Sequence, residues 1–95
     1  KNWKRKLIWS IEWDDRARKE LRKLDPYIQK EILNYLRTRI EGSENPRIFG
    51  EGLSENKAGL WRYRIRDYRL ICRLEDHTLV VFVLGVGHRK EVYED

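Results

Sequence analysis

The hydrophobic pattern changes period along the chain, and the changes mark the elements. Leu7, Ile8, Trp9, Ile11 and Trp13 read as a first strand, with Ser10 and Glu12 interrupting one face. Asp14 or Asp15 suits a helix N-cap, and Ala17, Leu21 and Leu24 then follow the i, i+4, i+7 spacing of one helical face. Asp25-Pro26 ends that helix and begins another, because aspartate caps well and proline fits the first helical position. The second helix carries Ile28, Ile32, Leu33, Tyr35, Leu36 and Ile40 before Gly42 stops it. So short a connection predicts an antiparallel helical hairpin whose shared apolar stripe needs a sheet to cover.

Gly42 to Gly59 has no period and is rich in turn formers, so it is predicted to be irregular, with Ile48, Phe49 and Leu53 anchoring it to the core. A loop of this length in a compact domain is either a connection or a binding loop. Leu60 to Arg66 then alternates strictly. Trp61, Tyr63 and Ile65 take one parity and Arg62, Arg64 and Arg66 the other, so a strand here sets a cationic face against an apolar one. Tyr68 to Leu74 is a further strand, the Glu75-Asp76-His77 segment a tight turn, and Thr78 to Leu84 a buried strand rich in Leu, Val and Phe. That strand runs into Gly85-Val86-Gly87-His88-Arg89, with Tyr93 four residues beyond Arg89. The expected class is α+β, in the order β, α, α, β, β, β: an antiparallel sheet with the helical hairpin on one face and the basic residues on the other.

At 95 residues the chain is one domain. Its net charge of +5 comes from abundant residues of both signs, with the excess concentrated in the arginine-rich stretch and at Lys1 to Lys6. Such a domain suits a polyanion or an acidic protein partner. Cys72 is alone, which excludes an intramolecular disulfide and a cysteine-based metal site; among Leu70, Ile71 and Leu74 it reads as a small buried residue. No apolar run approaches the ~20 residues that span a bilayer, and Leu7 to Trp13 is too short for a signal segment, so the cytoplasm is the expected location, with no membrane partner. No metal-ligand spacing, phosphate-binding glycine loop or repeat is present in the sequence. His77 sits in a polar turn and is expected to be exposed.

The candidate chemistry lies in the arginine strand and the C-terminal segment. One chemistry open to such a cluster, and the one that the family resemblance of these segments implies, is metal-independent cleavage of RNA, which uses the substrate's own 2′-OH as nucleophile. It needs a proton acceptor, cations for the charge on phosphorus and an acid for the departing 5′-oxygen. Arg62, Arg64, Arg69 and Arg89 stay protonated and suit phosphate clamping and transition-state charge. His88, with an unperturbed pKa near ~6.5, suits proton transfer, and Tyr93 offers a hydroxyl and a stacking face. Lys57, Arg66 and Arg73 are assigned to RNA or partner contact rather than to chemistry. The bland alternative is a solvated cationic face paired with the chain's many acids.

The run G-L-W-R-Y-R-I-R-D-Y-R-L-I-C, followed by V-V-F-V-L-G-V-G-H-R-K-E-V-Y, resembles the RelE/ParE superfamily of bacterial toxin–antitoxin toxins, closest to the RelE branch. The likeness runs from Leu7 onward, which leaves residues 1–6 as an N-terminal extension and 7–95 as the toxin domain. R-x-x-Y-R is shared with ParE-type toxins, whereas the V-G-H-R-x-x-x-Y ending is more specific to ribonuclease members. By position, Arg62 and Arg64 fall where some relatives carry lysines, Arg69 at the Y-R arginine, Arg89 at the post-strand arginine and Tyr93 at the C-terminal tyrosine. His88 falls where relatives have lysine or histidine. With arginine in place of lysine, acid–base work is expected to lean harder on His88 and Tyr93, or to depend on substrate groups held by the ribosome.

The resemblance implies a microbial-ribonuclease-like fold and a toxin that cuts mRNA in the ribosomal A site without a cofactor. It also implies restraint by a cognate RelB-like antitoxin and contact with operator DNA through that antitoxin. Two rival readings are a ParE-like inhibitor of DNA gyrase and a catalytically idle basic subunit of an antitoxin–DNA repressor complex.

Overall fold

The computed structural model describes residues 8–53 and 59–91. Strand β1 (Ser10–Trp13) leads into helices α1 (Asp15–Arg22) and α2 (Pro26–Tyr35), the latter continuing as one π-helical turn over Leu36–Ile40. A 3-10 turn (Pro46–Ile48) precedes the short strand β2 (Glu51–Gly52), and strands β3 (Leu60–Ile65), β4 (Tyr68–Glu75) and β5 (Val80–His88) complete the chain's elements. The helix starts follow the sequence. Asp14 accepts the backbone N–H of Arg16 and Asp25 that of Tyr27, while Pro26 occupies the first turn of α2.

The five strands form one sheet in the order β1-β5-β4-β3-β2. The α+β class, the helical hairpin and the order of the main elements are as the pattern predicts. Two details differ. The sheet is mixed, because β1 pairs parallel to β5, from Ser10 opposite Val80 to Trp13 opposite Val83. A parallel pair requires a long crossover, and everything between β1 and β5 supplies it. The second difference is β2, which lies within the stretch predicted to be irregular and pairs antiparallel with β3, Glu51 opposite Arg62.

The core fills the space between helices and sheet. Ala17 and Leu21 of α1, Ile32 of α2, and Leu36 and Ile40 of the π turn are buried with Tyr63, Ile65, Leu70, Cys72, Leu74, Val81, Val83 and Val86. Burial of each large aliphatic side chain contributes about 1.5–3 kcal/mol before entropy is counted. Burial pushes the Cys72 thiol pKa up, in keeping with an inert packing residue. Tyr63 is fully buried, and its hydroxyl donates to the Pro46 carbonyl at 2.8 Å, which ties the connecting segment to the sheet. Pro46 and Phe49 anchor that segment; Ile48, expected to do so, is instead 68 % exposed.

Candidate nucleic-acid interface

Strand alternation fixes which side each candidate occupies. On β3, Tyr63 and Ile65 point to the helices, so Arg62 and Arg64 take the opposite face. The β3–β4 register sets Arg64 opposite Arg69 and Arg62 opposite Ile71, and Arg73 follows on the same face of β4, opposite Phe82 of β5. The predicted cationic face therefore exists, on the side of the sheet away from the helices. Arg73 stands toward its far end, over the Phe82 ring and bonded to Glu75 at 2.6 Å.

Arg62 and Arg69 are buried, at 5 % and 7 % exposure, and buried guanidinium groups demand acceptors. Arg69 donates through Nη1 to the carbonyls of Arg66 and Tyr68, each at 3.0 Å, and so braces the β3–β4 turn. Arg62 donates through Nε at 3.1 Å, and also through Nη2, to Oε2 of Glu51; Arg64 donates through Nη2 to the same oxygen at 2.8 Å. The Arg62 hydrogen bond, with the charges of both arginines, holds the Glu51 carboxyl below its ordinary pKa.

Glu51 reaches this place because Gly50 lies against β3 with φ +78°. A Cβ there would stand 2.5 Å from the Arg62 carbonyl oxygen. Sequence reading missed Glu51. The flanking glycines of Gly50-Glu51-Gly52 were a signal of close backbone approach, but nothing in the order of residues pairs this acid, among 16, with those arginines.

The remaining candidates divide. Arg66, the odd member of the alternating trio, leaves the strand for the β3–β4 turn at φ +55°. There it turns to the helical side, where Nε donates to Glu31 at 2.8 Å and the guanidinium lies over the Tyr27 ring at 5.7 Å. His88 is the register partner of Tyr68, and the two rings meet edge to face with centroids 5.4 Å apart. Since Val86 of the same parity is buried in the core, His88 stands on the helical side at the end of the sheet, across it from Arg62 and Arg64. Its Nδ1 accepts the Lys90 backbone N–H at 3.1 Å, so in the neutral ring the proton sits on Nε2. Arg89 follows at that end, its backbone N–H donating to the Asp67 carbonyl at 2.7 Å and its Nε 3.7 Å from the Asp67 carboxylate.

The expectation that all basic residues share the face away from the helices thus holds for Arg62, Arg64, Arg69 and Arg73, and not for Arg66 or His88. Lys57 and Tyr93, and the 1–6 extension, lie outside the described residues. No helix among the described residues is long and apolar enough to cross a membrane.

Comparison with known proteins agrees with this fold. Residues 11–93 match the family model of the ParE toxin of type II toxin–antitoxin systems. Among curated proteins, the chain is 32 % identical over 93 residues to the mRNA interferase toxin RelE of Escherichia coli K12, covering 94 % of each chain. It is 29 % identical to Toxin RelG of Mycobacterium tuberculosis, covering 92 % of this chain and 98 % of that one. Among solved structures, the toxin–antitoxin complex RelBE2 of M. tuberculosis contains a chain that superposes with a TM-score of 0.78 at 27 % identity, covering 88 % of this chain and 94 % of that one. The isolated E. coli RelE toxin superposes with a TM-score of 0.56 at 28 % identity, covering 84 % and 83 %. With the matched segment running through the arginine strand to the C-terminal tyrosine, the chain belongs to the RelE/ParE superfamily of type II toxin–antitoxin toxins.

Proposed function

We propose that this protein is an mRNA-cleaving toxin of the RelE type, restrained by a RelB-like antitoxin. The observation that carries the reading is the pair Arg62 and Arg64, aligned on one strand face, converging on a single carboxylate oxygen and opposed by Arg69. Convergent guanidinium groups are suited to a phosphodiester and to the extra charge that develops on phosphorus during transfer. The E. coli relative at 32 % identity is named an mRNA interferase, which favours RNA as the polyanion.

In the proposed reaction the substrate 2′-OH attacks the adjacent phosphorus, with no metal or organic cofactor. Arg62, Arg64 and Arg69 hold the phosphate and stabilise the phosphorane, while Arg89, at the end of the sheet, holds a neighbouring part of the strand. His88 exchanges a proton through Nε2 where the RNA passes over that end, with Tyr93 as stacking platform or second proton carrier. Lys57, Arg66 and Arg73 give outlying contacts. This division supports the proposed ribosome dependence, since a site whose sheet-face arginines and imidazole stand on opposite sides of a sheet relies on its substrate being held in a fixed bend. The ribosomal A site provides such a hold. Cytoplasmic residence follows from that target, and contact with operator DNA would come through the antitoxin.

A ParE-like reading, with DNA gyrase as target, has one observation in its favour: the matching family model is that of ParE toxins. Primer extension on ribosome-bound mRNA, run beside a supercoiling assay with gyrase, separates the two. Cuts within A-site codons are the expected result. Intact mRNA with inhibited supercoiling would transfer the protein to the ParE reading, and inertness in both assays would mark it as an idle repressor subunit.

A further inference from the structure

Two guanidinium groups of very different burial share one carboxylate oxygen. The Arg62 side chain is 6 % exposed and that of Arg64 is 55 % exposed, yet both donate to Oε2 of Glu51. The buried partner favours an anion at this position, because a desolvated guanidinium is stabilised by a paired charge. The carboxylate comes from the two-residue strand β2, brought against β3 by the close approach of Gly50. The Glu51 side chain remains 43 % exposed, so the oxygen between the arginines is reachable from solvent. Arginines at alternate positions of one strand, meeting at one oxygen, form the geometry with which proteins grip a phosphate oxygen.

We infer that Glu51 is a resident anion seated in a phosphate subsite formed by Arg62 and Arg64, and that an RNA phosphate enters by displacing it. This rests on the reading of the chain as an RNA-cleaving toxin and deepens it by naming the residue that must yield. The exchange is one singly charged anion for another, so the buried Arg62 charge keeps a partner before and after, and no covalent bond changes. Glu51 therefore sets a threshold. A polyanion that brushes the surface meets arginines already paired with the Glu51 carboxylate and gains less from them than from free guanidinium groups. A strand that delivers a phosphate between them recovers both charge-assisted pairs and also gains its contacts elsewhere. Glu51 thus trades affinity for selectivity against passing nucleic acid.

The test uses the full chain and Glu51→Gln, which keeps the size of the side chain and removes its charge. The probes are inorganic pyrophosphate and an RNA oligonucleotide carrying 2′-O-methyl groups, which 2′-OH chemistry cannot cut. In the wild type, pyrophosphate should shift the Nε–H resonances of both Arg62 and Arg64, a readout that needs no variant to fold. E51Q should bind the oligonucleotide roughly tenfold more tightly, as removal of a competing charge-assisted pair predicts, and adding Arg64→Ala to E51Q should abolish the gain. Equal affinity in wild type and E51Q, or arginine resonances that do not move with pyrophosphate, would overturn the proposal. So would an E51Q protein with unchanged binding and lost cleavage, which would assign the carboxylate to proton transfer. Displacement by pyrophosphate in a protein that leaves ribosome-bound mRNA intact would keep the subsite and remove the nuclease reading.

Discussion

Arg64 and Arg69 stand directly opposite each other across the β3–β4 ladder, two cations where a sheet ordinarily sets unlike charges. Each is satisfied separately. Arg64 leans along its own face to Glu51, whereas Arg69 folds back onto the carbonyls of Arg66 and Tyr68 at the turn. Like charges directly opposite cost stability, and an anion seated between them would offset that cost.

The two arginines should therefore respond differently to truncation. Arg69→Ala removes the donor from two carbonyls beside a strained turn and opens a cavity at a 7 % exposed position, so it should destabilise by about 1–3 kcal/mol. Arg64→Ala removes an exposed partner of an exposed carboxylate and should stay within about 0.5 kcal/mol of the wild type. Urea unfolding of both variants measures the contrast. Equal losses would mean that Arg69 does not brace the turn.

Gly50 should be intolerant of any side chain. Its φ of +78° is unfavourable for alanine, and a Cβ would also press on the Arg62 carbonyl, the Trp61 indole nitrogen and the Tyr63 ring within 2.8 Å. Gly50→Ala should cost more than about 1 kcal/mol and release β2 from β3. In that variant the Arg62 and Arg64 Nε–H resonances should move even without ligand, whereas Gly42→Ala, with nothing near its Cβ, should leave them in place.

Acid should loosen the same contact. The carboxyls of Glu51, through its hydrogen bond to Arg62, and of Asp76, through its two bonds to Arg47 at 2.9 and 3.0 Å, are held below their ordinary values of 4.5 and 3.8. A depressed folded-state pKa contributes stability that is present in full above the unfolded value and is lost as pH falls through the folded one. Stability should thus be flat in these two groups above about pH 5 and decline below about pH 4. In Glu51→Gln one of the two contributions is absent, so its denaturation midpoint should fall less between pH 5 and pH 2 than that of the wild type.

Much of this architecture was legible because its signals are local. Alternation at Trp61, Arg62, Tyr63 and Arg64 sorted core from cationic face, and Asp25-Pro26 placed the helical break, since both depend only on neighbours in the chain. Three features were not legible, each for a physical reason. The parallel pairing of β1 with β5 depends on which sheet edge is left for the first strand, and that is a property of the whole topology. His88 and Arg66 follow the arginines in sequence but leave their face. For Arg66 the strand ends and the φ of +55° redirects the side chain to Glu31. For His88 the register break between Ile71 and Cys72, where β5 gains one residue, sets the parity of the strand's end. Glu51 was invisible because its partners lie on another strand.

The chemistry of cleavage makes the sharpest prediction. If the 2′-OH attacks phosphorus, the upstream fragment ends in a 2′,3′-cyclic phosphate and the downstream fragment in a 5′-OH, and an mRNA with 2′-O-methyl at the cut position resists. The geometry then separates the mutants. Arg89→Ala removes an exposed guanidinium whose carboxylate partner among the described residues, Asp67, stands 3.7 Å away, so it should leave stability nearly unchanged and lower the single-turnover rate on the ribosome by on the order of 10², as loss of a transition-state donor does. Arg69→Ala should lower it at least as far, measured well below its unfolding temperature so that the loss of the brace is not counted as chemistry. His88→Ala should cost ~10² to 10⁴ and flatten the pH–rate profile if Nε2 moves the proton. Tyr93→Phe removes only the hydroxyl, so an unchanged rate would assign that residue to stacking. Should His88→Ala instead retain the wild-type rate and pH profile, the imidazole's place across the sheet from Arg62 and Arg64 would be its whole role, as a packing partner of Tyr68. A 5′-phosphate on the downstream fragment, or cutting of the 2′-O-methyl substrate, would eliminate the 2′-OH mechanism altogether.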